Sequence, residues 1–394
     1  MVDASSAVSD ERLVRLLSDL VGIESVNPIY PGGERGESGM AAYVEDHCRR
    51  LGLDVARQAV LPGRDNIVAG LRVPGAKRTL LFEAHMDTVE IASMGDRALR
   101  PEVRDGRLYG RGSCDTKGSM AAMLTALEAL LGQRQDLAIN VLFLASVDEE
   151  FHFRGVTAFC QSPDYSVDAA VVGEPTDLRV VVAHKGAIRW RLSTLGRAAH
   201  SARPEEGNNA IDQMSEVLRA LRDLKPRWQT RQHPLVGAPT LSVGRIWGGV
   251  GVNIVPDRCT IEIDRRVIPG EEPMETLVEI DALLAELCAG NPAIKVEREE
   301  PFVVHWPLDT PADAAIATAA DRACRDVDVD PTPIGVPYGT DASELSRVRH
   351  IPSIVLGPGS IVHAHTNDEF VPIAELVAAA EIYRRTALHF SDVV

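Results

Sequence analysis

Apolar positions along the chain follow two different rhythms. Near the N-terminus their spacing predicts amphipathic helices from Asp10 to Leu20 and from Met40 to Leu51. Four short, nearly unbroken apolar runs then predict strands buried on both faces: Thr79–Glu83, Ile139–Ser146, Ala169–Val172 and Ser353–Leu356. A strongly helical stretch, about Lys117 to Leu131, separates the first two runs. Alternation of this kind predicts an α/β domain with helices packed on a mixed sheet.

The middle of the chain changes rhythm. In Ala187–Thr194, Trp190 and Leu192 alternate with Arg189 and Arg191, the pattern of a half-buried strand. Further strands are expected near Thr240–Ile246, Thr260–Arg266 and Ala293–Arg298, with helices at Ala210–Leu224 and Glu275–Ala289. That set predicts an α+β sandwich inserted as residues 182–298, between catalytic-domain segments 1–181 and 299–394. No internal repeat or low-complexity tract interrupts it.

Composition adds bounds. At roughly 100–200 residues per domain, 394 residues suit two domains. A net charge of −16 argues against a general nucleic-acid binder and against adhesion to anionic lipid. The opening, MVDASSAVSDERLVRLL, lacks the basic and apolar regions of a signal peptide, and no apolar run reaches membrane-spanning length. The six cysteines are scattered without a CxxC pair, so neither a disulfide framework nor a cysteine zinc site is expected. A cytoplasmic, thiol-containing protein is the reading.

Each of the four apolar runs ends in a polar signal. His85 and Asp87 follow the first, Asp148-Glu149-Glu150 the second, Glu174 the third, and His363 and His365 the fourth. Ligands of open α/β sheets bind outside the carboxyl ends of the strands, so these residues are expected to meet in one crevice. Asp115, at the turn opening the Lys117 helix, would join them. Taken singly, each has a plainer role: a strand-end histidine, a solvated acidic pair, a helix N-terminal carboxylate. Their recurrence at successive strand ends points instead to a shared metal site. Asp87, two residues after His85 in an extended segment, would hold the far nitrogen of that imidazole. Imidazoles with carboxylates and no thiolate suit two divalent ions, with Zn, Co and Mn all permitted by the residue types. Such a centre polarises a carbonyl and supplies a nucleophile near neutral pH. Of Glu149 and Glu150, one can ligate while the other serves as general base. On spacing alone, His363 and His365 share an extended face and are not distinguished.

Together the motifs FEAHMDTV, DGRLYGRGSCDTKGSMAAM, SVDEEF, VVGEPTD and AHTNDEF resemble those of the dimetal (zinc) aminoacylase and exopeptidase family. Its members include acetylornithine deacetylase, succinyl-diaminopimelate desuccinylase and zinc glutamate carboxypeptidase. HKGAIRW, GRAAHSARPEEGNNAI and GVNIVPDRCTIEIDRRVIPGE extend the resemblance through the inserted block. The resemblance implies one metal on His85, Asp115 and Glu174, and a second on Asp115, Glu150 and His365. The His-x-x-x-Glu arrangement of His365 and Glu369 selects His365 over His363. It further implies Glu149 as general base toward a metal-bridging water, with Asp87 supporting His85. The inserted block resembles a dimerisation lid, in which His200 would reach across a homodimer to the oxyanion. Asn253 and Arg266 resemble residues that hold a substrate carboxylate, and Gly339 and Thr340 resemble a pocket-lining loop. From residue types alone, His200 and Arg266 read as solvated side chains.

The implied activity is hydrolysis of an amide in an N-acyl amino acid, with dipeptidase or carboxypeptidase action as the alternative. A two-metal phosphoesterase would want further cations at the site, for which Lys117 and Lys185 are the few candidates. A binding protein descended from the family would be expected to have lost ligands or base. All six positions keep suitable residue types.

Overall fold

The computed structural model describes residues 10–392, so the acidic opening at 1–9 lies outside the described residues. The chain forms two units, one of Met1–Val182, Thr310–Ile334 and Thr340–Val394, the other of Ala183–Asp309 with Gly335–Gly339.

In the first unit, four parallel strands lie side by side in the order Ile139–Ser146, Arg78–His85, Ala169–Val172 and Ser353–Val355. They are the four apolar runs of the sequence, and nearly every residue in them is buried. Burial on both faces explains why their apolar character is continuous rather than alternating. Antiparallel strands flank them: Arg64–Leu71 and then Asp54–Leu61 on one side, Val181–His184 on the other. The Lys117–Gly132 helix is apolar almost all round because it is enclosed, with Met120, Leu124 and Leu127 packed among Leu80, Phe82 and Phe143. The Ile373–Asp392 helix adds Leu376, Ile382 and Tyr383 to the same core.

The second unit is an antiparallel sheet in the order Thr240–Gly248, Arg258–Val267, Gly186–Leu195, Val296–Arg298, with Val303–His305 also paired to Gly186–Leu195. One face buries Trp190, Leu192, Ile261 and Ile263 against the Ala210–Trp228 and Pro273–Gly290 helices. The opposite face carries cross-strand ion pairs, Arg189–Asp264 at 2.7 Å and Arg191–Glu262 at 2.9 Å. The alternation of Trp190 and Leu192 with Arg189 and Arg191 thus has its physical cause in a one-sided core. The unit runs beyond the expected end at residue 298. Pairing of Val303–His305 with the central strand keeps the chain in the sheet, and the crossing comes after Asp309. Gly335–Gly339 also belongs to this unit, which assigns Gly339 and Thr340 to different units.

Among the described residues, no helix is long and apolar enough to cross a membrane. All six cysteines are free, five of them buried.

Helix and strand end approach closely at Gly173, the residue before Glu174. A Cβ there would lie 2.6 Å from the Ser119 Cβ and 3.0 Å from the Met123 Cε. Gly173→Ala is therefore expected to cost about 1–3 kcal/mol through overpacking. A denaturant midpoint equal to that of the parent would show that the helix yields freely.

Candidate metal centre

The four parallel strands end together, and the polar residues that follow them converge. His85 closes its strand and Asp115 lies two residues before the Lys117–Gly132 helix. Glu149 and Glu150 follow the Ile139–Ser146 strand, and Glu174 follows Ala169–Val172. The Asp115 carboxylate stands between two imidazoles. Its Oδ1 is 3.1 Å from His85 Nε2, and its Oδ2 is 3.2 Å from His365 Nε2. Glu174 Oε1 and Glu149 Oε2 lie 3.8 and 4.0 Å from His85 Nε2, and Glu150 Oε1 lies 3.1 Å from His365 Nε2. His85, Glu149 and Glu174 offer ligand atoms within 4.8 Å of one another, as do His85, Asp115 and Glu150.

Crowding of these groups away from water sets their protonation. Burial pushes the Glu149 and Glu174 carboxyls well above their ordinary values, and neighbouring carboxylates add to the push. Asp115 goes the other way: burial raises it, but the hydrogen bonds from His365 and His85 win and hold it low. Burial opposes the charged form of His365, yet Asp115 and Glu150 lift it to about 11. His85 is likewise lifted well above its usual range, against its own burial, by Asp115 and Asp87. Four carboxylates crowded away from water call for compensating positive charge, so two imidazoles among them fit a pair of divalent cations.

Three contacts differ from expectation or were not foreseen. His363 and His365 lie in turns rather than on an extended strand, because the chain leaves Ser353–Val355 through Gly357-Pro358-Gly359 and reverses. His365 adopts a left-handed φ of 61°, while the His363 ring packs on Phe370, 4.2 Å between centroids. The nearest partner of His85 Nδ1 is the backbone oxygen of Asp87 at 2.9 Å, with the Asp87 carboxylate farther away at 3.6 Å. That carboxylate is occupied by Asn27 Nδ2 at 2.7 Å and by the amides of Glu149 and Glu150, each at 3.1 Å. Glu369 has a use that its spacing from His365 does not reveal. Fully buried, it accepts from Arg111 Nη1 at 2.6 Å and from the amides of Cys114 and Asp115, both at 3.0 Å. It therefore fixes the backbone that carries the shared carboxylate.

The remaining expected residues are placed by their own units. His200 is exposed on a two-residue strand paired with Ile254–Val255, and its Nδ1 accepts from the Ala202 amide at 3.1 Å. Asn253 is next to it in space, its carbonyl accepting from the Ser201 amide at 3.1 Å. Arg266 lies on the ion-paired sheet face, with Nε 2.8 Å from Asp264 Oδ1; its neighbour Arg265 points into the core against Trp228. Thr340 is buried in the first unit. The two lysines that phosphate chemistry would need are spent on backbone: Lys117 Nζ donates to the Ile23 carbonyl at 2.8 Å, and Lys185 Nζ to that of Ala238 at 2.5 Å.

Comparison with known proteins bears on this arrangement. The family model for peptidase family M20/M25/M40 matches residues 81–389. A protein named acetylornithine deacetylase from Myxococcus xanthus is 31% identical over 363 residues, covering 88% of this chain and 91% of its own. An M20 family metallo-carboxypeptidase from Sulfolobus solfataricus superposes with a TM-score of 0.80 at 18% identity, covering 96% of this chain and 99% of its own. A Bacillus subtilis protein described as a dinuclear metal binding peptidase superposes at 0.74 and 14% identity, over 98% and 99% of the two chains.

Glu369→Gln is expected to lose about 3–5 kcal/mol of stability, because Arg111 stays buried without its counter-charge. Metal affinity is expected to fall roughly 10–100-fold as the Asp115 backbone loosens. Thermal unfolding and a metal titration of the same sample check both.

Proposed function

The chain belongs to peptidase family M20/M25/M40 and is a metal-dependent hydrolase of amide bonds; from that premise we propose that it deacylates an N-acyl amino acid. The observation that carries this reading is one buried carboxylate, Asp115, with an imidazole on each oxygen and three glutamates around it. The name of the Myxococcus xanthus relative makes N-acetylornithine the first substrate to try.

We assign one cation to His85, Asp115 and Glu174 and the other to Asp115, Glu150 and His365, with zinc as the metal and Asp87 as the support of His85. When bound, the two cations would supply Lewis acidity toward the amide carbonyl and make water acidic enough to deprotonate near neutral pH. Glu149 takes the proton of the attacking water and passes it to the leaving nitrogen. Its half-buried carboxyl, raised well above the usual range in the metal-free site, suits a group that both accepts and returns a proton. His200 is assigned to the oxyanion that forms at the carbonyl. Asn253 and Arg266 are assigned to the substrate carboxylate, which the planar guanidinium can grip through two bonds. Gly339 and Thr340 are assigned to the pocket lining.

A homodimer formed through the second unit completes the proposal. Thr240–Gly248 is an edge strand, and exposed Ile246 and Trp247 on it lie near Val250, Val252 and Ile254, which are exposed as well. An apolar edge strand left in water is a pairing hazard, and a second copy would cover it. Six free cysteines favour a reducing compartment, the cytoplasm.

Glu149→Ala is expected to keep two metal ions per chain and lose about 10²–10⁴-fold in kcat. Near-parental turnover would remove Glu149 from the mechanism. In a hydrolysis screen of N-acetyl and N-succinyl amino acids and dipeptides, acyl amino acids should lead. A clear preference for dipeptides would move the protein to the peptidase reading. Trp247→Asp is expected to shift the mass measured by light scattering from two chains to one.

A further inference from the structure

The loop that carries Glu149 and Glu150 is gripped from behind by Asp87 and by further residues with no place in the chemistry assigned above. Four successive backbone amides each donate to a side chain. Val147 N reaches Asn66 Oδ1, Asp148 N reaches Glu37 Oε1, and Glu149 N and Glu150 N reach the two oxygens of Asp87, all at 3.1 Å. Asp148, at a left-handed φ of 69°, turns the chain so that consecutive N–H groups face one concavity, where the Asp87 carboxylate sits as an internal anion.

That arrangement gathers three buried carboxylates, Glu37, Asp87 and Asp148, whose charges would otherwise drive it apart. Arg64 answers two of them. Its Nε and Nη2 grip Glu37 at 2.5 Å each, and Nη2 also reaches Asp148 Oδ1 at 3.1 Å. Arg154 donates to both oxygens of Asp148. Asn27 answers the third contact, with Nδ2 donating to Asp87 Oδ2 at 2.7 Å and to Asp148 Oδ1 at 3.1 Å. A neutral amide ties two carboxylates together there without adding charge of its own. Asn27 is itself fixed: its backbone amide donates to Thr88 O at 2.9 Å, and its Oδ1 accepts from the Ile29 amide at 3.1 Å.

We propose that Asn27 and Arg64, with Glu37, form a clamp that holds Glu149 in the position proton transfer requires. They are positioning residues for the hydrolysis, acting through Asp87 and Asp148. The proposal rests on the reading of Glu149 as general base. Each clamp residue is buried, so its loss should reach turnover through the loop rather than through substrate binding. A general base works within about 2.6–3.2 Å of its proton, and a misplacement of about 1 Å can cost ~10²-fold.

The test uses the whole enzyme and the variants Asn27→Ala and Asn27→Ser. Asn27→Ala should lower kcat by roughly 10²-fold, leave KM within about twofold and retain two metal ions per chain. In the metal-free protein, amide hydrogen exchange across residues 147–151 should speed up. Asn27→Ser, which keeps one donor, should recover part of the turnover and part of the protection. Should Asn27→Ala fail to fold, Arg64→Lys makes the same comparison, keeping the charge while giving up the fork. Unchanged kcat, a loss confined to KM, or a loss of metal would each overturn the proposal. Unchanged kcat with faster exchange overturns it too, and Glu149→Ala then shows whether the assignment of the base fell with it.

Discussion

One carboxylate is pulled in two directions, and much of the first unit exists to keep it there. Asp115 presents an oxygen to each of two imidazoles that reach it from distant parts of the chain. Such a bridge works only if backbone, not side-chain freedom, decides where the carboxylate sits. Glu369 holds the amides of Cys114 and Asp115, and Arg111 balances its charge. On the next residue, the Thr116 hydroxyl donates to the Gly173 carbonyl, just before Glu174. Asp115 and Glu174, both candidate ligands, are therefore tied by adjacent backbone, and the lack of a side chain at Gly173 permits it.

The same logic recurs on the other side of the centre. Glu149 and Glu150 hang from a loop, the least rigid kind of element, yet none of the amides from Val147 to Glu150 is left to water. Asp87 appears to sequence as a partner of His85 alone. In the structure its carboxylate is the acceptor for the loop, and its carbonyl is the nearest partner of the imidazole. One residue thus couples the orientation of an imidazole to the position of two glutamates. A site assembled this way keeps its geometry while its protons or cations change, which is what supporting hydrogen bonds around a reactive group accomplish.

How much of this was legible in the sequence follows from which signals are periodic. The four parallel strands and the enclosed helix were legible because burial on all sides leaves unbroken apolar runs. The one-sided core of the second unit was legible in the alternation around Trp190. Asp54–Leu61 was not, because it is a largely exposed edge strand whose residues, DVARQAVL, carry no clean alternation. Arg64–Leu71 was missed too, since its polar first three residues hide a short buried run. At the site, residues that end a strand announced themselves. Asn27, Glu37 and Arg64 did not, because each is a single polar residue in a loop or at a strand start, where no periodicity marks it. Only the fold makes them neighbours of one loop. The turn geometry of His365 was equally hidden, since a left-handed residue other than glycine leaves little trace in sequence.

The cations of the two units are committed to different degrees. In the first unit, the cations around the centre are already engaged: Arg64 with Glu37, Arg111 with Glu369, and Lys117 with a backbone carbonyl. Burial draws Lys117 down to about 7, so it is a weak source of fixed positive charge. A substrate carboxylate thus finds no uncommitted guanidinium among these residues. Arg266 differs: it is only half-buried and is tied to Asp264 through Nε. The proposed assignment of Arg266 would give recognition of the amino-acid end of a substrate to the second unit. An enzyme divided so would change the amide it accepts by altering the second unit while the proposed metal ligands stay as they are.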